Sequence, residues 1–457
     1  MIDIAALGDE LHRLAKVALD SGEAASVDEA MALFRSYSLH IRVGAGIARS
    51  PAKQAALLTA VNAARRAFLG GVTVSGVSDA ASLLPLGDGR PLAALVEELG
   101  GRLTSGDGGA AASLQIGASA TASGQSGVCV AASGWTASCA PIGSDLDEEE
   151  SAFVLAGVAA GALGVAECFQ MVRGRNPAAG RRTIGLSLWR PDLDWRAPKA
   201  HGAAPALLPA SAWIIGLGNL GQAYLWALGM LPYAAPGDVS LVLQDFDAIA
   251  PSNDSTSLLT HLGLVGRKKS RMMAEWAERR GWRTSIVERR FDIRSRVGDD
   301  DPRVALCGID NALGRAALEE AGFARVIEAG LGAGVSDFLA LRLHSFPGPR
   351  SAADIWSGAA NANAADTRLG QPAYRALEAG GADRCGLVQL AGRTVGAPFV
   401  GALAGAFVIA ELVKLANGGP SMSLVDLHLR VPDAMKAFVQ TADLAINPGI
   451  TDVHQIA

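Results

Sequence analysis

The stretch WIIGLGNLGQAYLWALGM, residues 213–230, decides the fold. An apolar run enters a turn made of Gly216, Gly218 and Gly221 and leaves it as an apolar helix. Glycines at a strand-to-helix turn let backbone approach a phosphate, and the helix N-terminus adds partial positive charge. A tight turn without a ligand uses the same residue types, so the surroundings must decide. The next apolar run ends in acid, in LVLQDFDAIAPSND at 241–254. Asp245 there takes the position where an NAD enzyme holds its ribose.

Outward from this turn, strand and helix alternate. Strands are predicted over 212–215, 239–244, 284–291, 304–307 and 325–328, with helices over 220–230, 262–280 and 312–322. A longer alternating strand is expected at 337–344, a small-residue helix at 395–415 and a closing strand at 423–429. This order reads as α/β, a doubly wound, mostly parallel, Rossmann-like sheet. The active domain is placed at 212–430, with a crossover segment at 347–390 and a C-terminal tail at 431–457. Residues 201–211, HGAAPALLPAS, read as a linker. Residues 1–200 are less legible, with helices at 52–68 and 91–99 and short strands at 72–74, 113–116, 127–132 and 183–188. One echo joins the halves: AGALGVAE at 160–167 matches AGAFVIAE at 404–411. The first half is therefore read as an inactive, degenerate copy of the second, a pseudo-dimer within one chain, or as an accessory module.

The chain has 457 residues and net charge −5, so no overall basic field argues for nucleic acid. The apolar runs 152–166 and 397–410 fall short of the roughly 20 residues of a membrane span. The N-terminus lacks the basic start and unbroken apolar core of a signal peptide. Five scattered cysteines without a CxxC pair suit a reducing compartment and argue against a zinc ribbon. The chain is expected to be soluble and cytoplasmic, without a membrane or nucleic-acid partner.

A simple hydride enzyme needs the glycine turn and one acid. This chain supplies more: Asp247 and Asn253 follow Asp245, LVGRKKSR supplies Lys269, and CGIDNALGR supplies Asp310, Asn311 and Arg315. Ligands of such sheets bind at the carboxyl edge, where Asp310 ends a strand. A lysine there neutralises phosphate charge, and a carboxylate suits magnesium. ATP with Mg²⁺ is the expected ligand.

The glycine turn, DFD, SN, the Lys of GRKK and DN with its trailing Arg resemble the E1-like adenylating superfamily, of ThiF–MoeB and ubiquitin-activating type, over roughly 212–429. The resemblance implies ATP-dependent adenylation of a ubiquitin-like protein at its C-terminal carboxylate, with pyrophosphate released. It implies that Asp245 holds the ribose, that Asn253 and Lys269 contact phosphates, and that Asp310 serves magnesium and the α-phosphate. Members usually carry an arginine three residues after the Asn; this chain has Thr256. A second arginine in the family often arrives from a partner protomer or pseudo-domain; HIRVGAGIARSP offers Arg42 and Arg49, and Arg49, beside Ser50 and Pro51 before a helix, is the candidate.

Many such enzymes pass the acyl group to a cysteine and then to an E2-like protein. Cys385, between Arg384 and Gly386, lies in the region where the family places that thiol, and neighbouring cations would lower its pKa. A thioester on Cys385, an oxyester on a hydroxyl such as Thr394, and no covalent intermediate are all left open. Bacterial ubiquitin-like conjugation is the leading reading, with a homodimer as a further option. An NAD-dependent oxidoreductase and a non-catalytic pseudo-E1 scaffold are the alternatives.

Overall fold

The structure, a computed structural model, describes residues 4–77, 80–106, 109–117, 126–357, 368–440 and 446–454. The first half runs α1 (Ile4–Glu10), α2 (Lys16–Asp20), α3 (Val27–Arg35), β1 (Leu39–Val43), α4 (Pro51–Ala64), β2 (Val72–Ser75), α5 (Leu92–Glu98), β3 (Arg102–Leu103), β4 (Ala112–Ile116), β5 (Gly127–Ser133), β6 (Thr136–Pro141), α6 (Val154–Arg173) and β7 (Ile184–Ser187). The second half runs β8 (Leu207–Pro209), β9 (Ser211–Ile215), α7 (Asn219–Leu228), β10 (Ser240–Gln244), α8 (Lys269–Glu278), β11 (Arg283–Val287), β12 (Val304–Cys307), α9 (Ala312–Ala316), β13 (Arg325–Leu331) and β14 (Ala340–Phe346). It continues with α10 (Ala352–Trp356), α11 (Pro372–Ala379), α12 (Arg384–Gly392), α13 (Pro398–Ala416), β15 (Met422–His428), β16 (Lys436–Val439) and β17 (Ile450–Asp452).

Two sheets share one wiring. The first has the order β3-β2-β1-β4-β5-β6-β7 and the second β11-β10-β9-β12-β13-β14-β15-β16. In each, the first five strands are parallel and the rest antiparallel. In each sheet, strand order reverses between the first and fourth of its strands along the chain, β1 and β4 or β9 and β12, the crevice where open α/β sheets bind ligands.

The echo in sequence is an echo in packing. In α6, Gly157 and Gly161 press on α4, where a Cβ would lie 2.0 Å from Ala52 O and 2.3 Å from Ala56 O. In α13, Gly401 and Gly405 press on α7, at 2.2 Å from Asn219 Oδ1 and 2.6 Å from Ala223 O. Glu167 and Glu411, at the same relative places, are both buried and both serve backbone: Glu167 accepts from Gly180 N–H at 2.9 Å and Glu411 from Met422 N–H at 2.9 Å.

The helices α6 and α13 are apolar on every side because they are packed on every side. By length and composition both could cross a membrane, longer than the sequence runs suggested, yet 94% and 89% of their apolar windows are buried inside the protein. They pack against each other, α4 and α7 complete the seam, and one continuous hydrophobic core crosses it. Trp226 on α7 donates to Thr59 Oγ1 on α4 at 2.9 Å.

Some boundaries differ from expectation. The helix expected over 262–280 begins only at Lys269, because Gly266 turns at φ +87° just before it. The 201–211 segment contains β8, which pairs with β17, and the 431–457 segment contributes β16 to the large sheet. The crossover segment holds α10, α11 and most of α12; its residues 358–367 lie outside the described residues.

Candidate functional site

The carboxyl ends of β9, β10, β12 and β13 open onto one cavity of about 540 Å³. Its lining includes Gly216, Gly218, Asp245, Asp247, Asn253, Lys269, Asp310 and Asn311. It sits where β9 and β12 are neighbours, at the reversal of strand order.

The three glycines have three different reasons. Gly216 stands at φ +85°, a region that side chains disfavour. A Cβ on Gly221 would lie 1.9 Å from Gly216 O, so only glycine lets α7 start there. A Cβ on Gly218 meets nothing within 4 Å, which leaves its backbone open to a ligand. Asp245 is buried and fastens the turn: one oxygen accepts from Leu217 N–H at 2.7 Å, the other from Asp247 N–H at 2.9 Å. Each carboxylate oxygen keeps a second lone pair for a ribose hydroxyl.

Lys269 opens α8 and points its ammonium at Asp247, 3.0 Å away. Asn253 sits in a 3-10 turn over Pro251–Ser255; its Oδ1 accepts from Ala250 N–H at 2.9 Å, and its NH2 remains a donor. Asn311 is committed as the N-cap of α9, accepting from Gly314 N–H at 2.9 Å. Arg315 is buried and holds strand ends together, donating to Ile309 O at 2.6 Å, lying 3.2 Å from Glu328 and stacking 4.4 Å from the Trp356 ring centre.

Asp310 is exposed, and its carboxylate has no hydrogen bond or ion pair among the described residues. Magnesium keeps several waters and binds through one or two carboxylates plus substrate phosphates, so a single free carboxylate fits it. Among the described residues no cluster of three His, Cys, Asp or Glu forms an all-protein metal cage. Around the cavity stand six cations, Arg13, Lys269, Arg289, Arg290, Arg315 and Arg393, against three carboxylates, Asp245, Asp247 and Asp310. A cleft of that balance concentrates an anionic ligand.

Residues 38–188 match the BilD N-terminal domain and residues 208–419 the BilD C-terminal domain. A bacterial E1-like protein BilD from Collimonas sp. (strain OK412) is 46% identical over 419 residues, covering 91% of this chain and 90% of that protein. The chain belongs to the bacterial E1-like BilD family. Two solved structures resemble this BilD-family chain far more distantly. E. coli MccB with MccA-N7isoASN is 12% identical over 52% of this chain and 67% of its own, at a TM-score of 0.31. PaaA is 16% identical over 50% of this chain and 63% of its own, also at 0.31. No residue role is carried over from either.

Two of the expected residues lie away from the cavity. Arg49 is exposed, 2.6 Å from Glu150 in the first half, and does not line the cavity. Cys385 is exposed at the start of α12 and does not line it either. The other end of α12, at Gly392, does, followed by Arg393, Thr394, Val395 and Gly396. Seven residues of helix, about 10 Å, separate Cys385 from that end.

The first half does supply an arginine, from an unexpected place. Arg13, between α1 and α2, lines the cavity. Its backbone N–H donates to Ser255 Oγ at 3.0 Å, and its guanidinium reaches Ser252 Oγ at 3.4 Å. The rest of the Asn253 loop is gripped by α4 and the turn after it. Asn62 Nδ2 donates to Leu258 O at 3.1 Å, Arg65 pairs with Asp254 at 2.8 Å, and Arg66 donates to Thr260 O at 2.9 Å. The basic end of that helix, legible in the sequence as AARRAF, thus caps carbonyls of the neighbouring loop.

Proposed function

We propose that this chain is an activating enzyme that adenylates the C-terminal carboxylate of a ubiquitin-like protein with Mg-ATP, as in the ThiF–MoeB type. A carboxylate oxygen of the carrier attacks the α-phosphorus, the new O–P bond forms, and the bond to the β-phosphate oxygen breaks to release pyrophosphate. Asp310 would hold a magnesium ion, which would supply charge neutralisation when bound. The chain's own residues do the rest. The Gly218 backbone and the start of α7 cradle phosphate, Asp245 holds the ribose, and Asn253, Lys269 and Arg13 draw charge from the departing pyrophosphate.

The single supporting observation is that Asn253, Lys269 and Asp310, from three separate elements, line one cavity at the strand-order reversal. An NAD enzyme has no use for that set. The first half serves as an inactive copy. Its counterpart of the glycine turn is a longer loop, Gly44 to Ser50, where Lys53 Nζ donates to Ala45 O at 3.1 Å and pairs with Glu148 at 3.0 Å. A Cβ on Gly46 would lie 2.9 Å from that ammonium, so the chain's own lysine fills the space. The Cys385 thiolate then attacks the carbonyl carbon of the acyl adenylate, the C–S bond forms and AMP leaves; transfer of the acyl group to an E2-like protein in the cytoplasm frees the Cys385 thiol and completes the proposed sequence, within one pseudo-dimeric chain.

The test is ATP–pyrophosphate exchange. Exchange should appear only when a small ubiquitin-fold protein ending in an exposed glycine is added, and should vanish in Asp310→Ala. Absence of exchange with any such carrier would leave the second reading, a non-catalytic pseudo-E1 scaffold, which Thr256 in place of the family arginine favours.

A further inference from the structure

Thr256 stands where the resembling family carries an arginine, and its side chain is spent on packing. It is buried, and a Cβ on Gly396 would lie 2.6 Å from its Cγ2. The deficit of positive charge at this end of the cavity is therefore built into the fold, unless another element makes it good.

Two arginines from outside the sheet line the cavity together with Thr256 and Gly396. Arg13 stands against Ser252 and Ser255, on either side of Asn253. Arg393 follows α12 directly and lines the cavity with Thr394 and Gly396. Gly396 N–H donates to Arg13 O at 3.4 Å, which ties the two segments together. The two cations feel each other: burial first, and then the Arg393 charge, pull Arg13 down from its ordinary value to about 10, against attraction from Asp9 and Asp310. The one ion pair either makes among the described residues is Arg393 with Asp9, at 2.9 Å, and both of those side chains are about half exposed. An exposed pair of that kind contributes little and does not explain why a second cation is brought alongside. Neighbouring guanidinium groups repel unless an anion lies between them, and phosphate accepts from two forks at once.

Arg290 stacks 4.7 Å from the Phe246 ring centre, next to the proposed ribose ligand Asp245, and so is placed for the nucleoside end.

We propose that Arg393, from the end of the crossover segment, supplies the guanidinium missing at Thr256 and with Arg13 clamps the β- and γ-phosphates of the nucleotide. The proposal rests on the Mg-ATP reading of the cavity and adds to it the residue that compensates the family departure. It makes the end of the crossover segment part of the phosphate site.

The experiment is calorimetric titration of Mg-ATP and of AMP into the full chain and into Arg393→Ala, Arg393→Lys and Asp9→Ala, with thermal melts alongside. Removing one charge-assisted phosphate contact should weaken Mg-ATP about 10- to 100-fold. AMP, which lacks the β- and γ-phosphates, should change by less than about 2-fold. Arg393→Lys, which keeps the charge and perturbs packing less, should lose a smaller part of the Mg-ATP affinity and none of the AMP affinity. Asp9→Ala breaks the exposed ion pair but keeps the guanidinium, and should leave both ligands unchanged. If Arg393→Ala and Asp9→Ala behave alike, or Arg393→Ala weakens AMP as much as Mg-ATP, Arg393 is an anchor for α1 and the proposal fails. If the unaltered chain binds no Mg-ATP, the nucleotide reading itself fails.

Discussion

Arg66 and Thr260, 194 residues apart, meet at 2.9 Å, the guanidinium of the first donating to the carbonyl of the second. Arg66 also reaches Leu258 O at 3.3 Å and Asn62 O at 2.7 Å, and it is buried. The loop that carries Asn253 is thereby held from the other half of the chain. Arg66→Met should cost about 1–3 kcal/mol, the price of leaving buried carbonyls short of donors. Arg65→Ala breaks a quarter-exposed pair with Asp254 and should cost less than about 1 kcal/mol. Urea unfolding of the two variants gives the order, and the reverse order would refute the grip assigned to Arg66.

The glycine turn separates folding from binding. Gly221→Ala places a methyl 1.9 Å from Gly216 O and should prevent native folding or lower Tm by many degrees. Gly218→Ala meets no protein atom within 4 Å and should leave Tm nearly unchanged, while Mg-ATP affinity falls at least about 10-fold, since backbone there must approach phosphate. Equal damage to stability in both variants would contradict the assignment.

A thiol reagent should find one site. Cys385 is exposed, while Cys129, Cys139, Cys168 and Cys307 are buried. Burial pushes the Cys307 thiol up to about 12 and raises the other three as well, so they are poor nucleophiles. The native chain should take up one label, at Cys385. Prior incubation with carrier and ATP should block it if Cys385 receives the acyl group; undiminished labelling together with active exchange would leave Thr394 or no covalent step.

Acid should loosen the segment that carries Arg13. His12 is pulled from 6.5 to about 4 by burial, partly offset by Asp254, and its Nδ1 accepts from Ala15 N–H at 3.2 Å. The folded state disfavours the protonated ring, so the unfolded chain binds more protons below 6.5. The associated stability is fully present above about pH 6.5 and is lost as pH falls toward 4. The loss is about 2 kcal/mol, allowing for partial exposure. His12→Asn, which can still accept from Ala15 N–H, should flatten this slope in urea unfolding between pH 7 and 4.5. An unchanged slope would show that other groups carry it.

Much of the second half was legible because its chemistry is local. A strand, three glycines and a helix lie in one window, and the strand over 304–307 was read with its observed limits. The site residues Asp245, Asn253, Lys269 and Asp310 each follow a strand or open a helix, so their order along the chain already placed them on one sheet edge. What escaped was non-local. Arg13 meets Ser255 across 242 positions, and no short motif marks it; Arg49 was favoured only because it precedes a helix. The strands β1 and β6 were missed, although β1 lies inside the first sheet, between β2 and β4. There a seven-residue loop replaces the glycine turn, and the phosphate signature that would flag the strand is gone.

The most direct measurement is a titration of Mg-ATP and of NAD into the chain and into Lys269→Ala and Asp310→Asn. Mg-ATP should bind at one site per chain and more tightly than NAD, and each substitution should weaken it about 10-fold or more. Tighter binding of NAD, or Mg-ATP binding indifferent to both substitutions, would contradict a triphosphate site built from Asn253, Lys269 and Asp310.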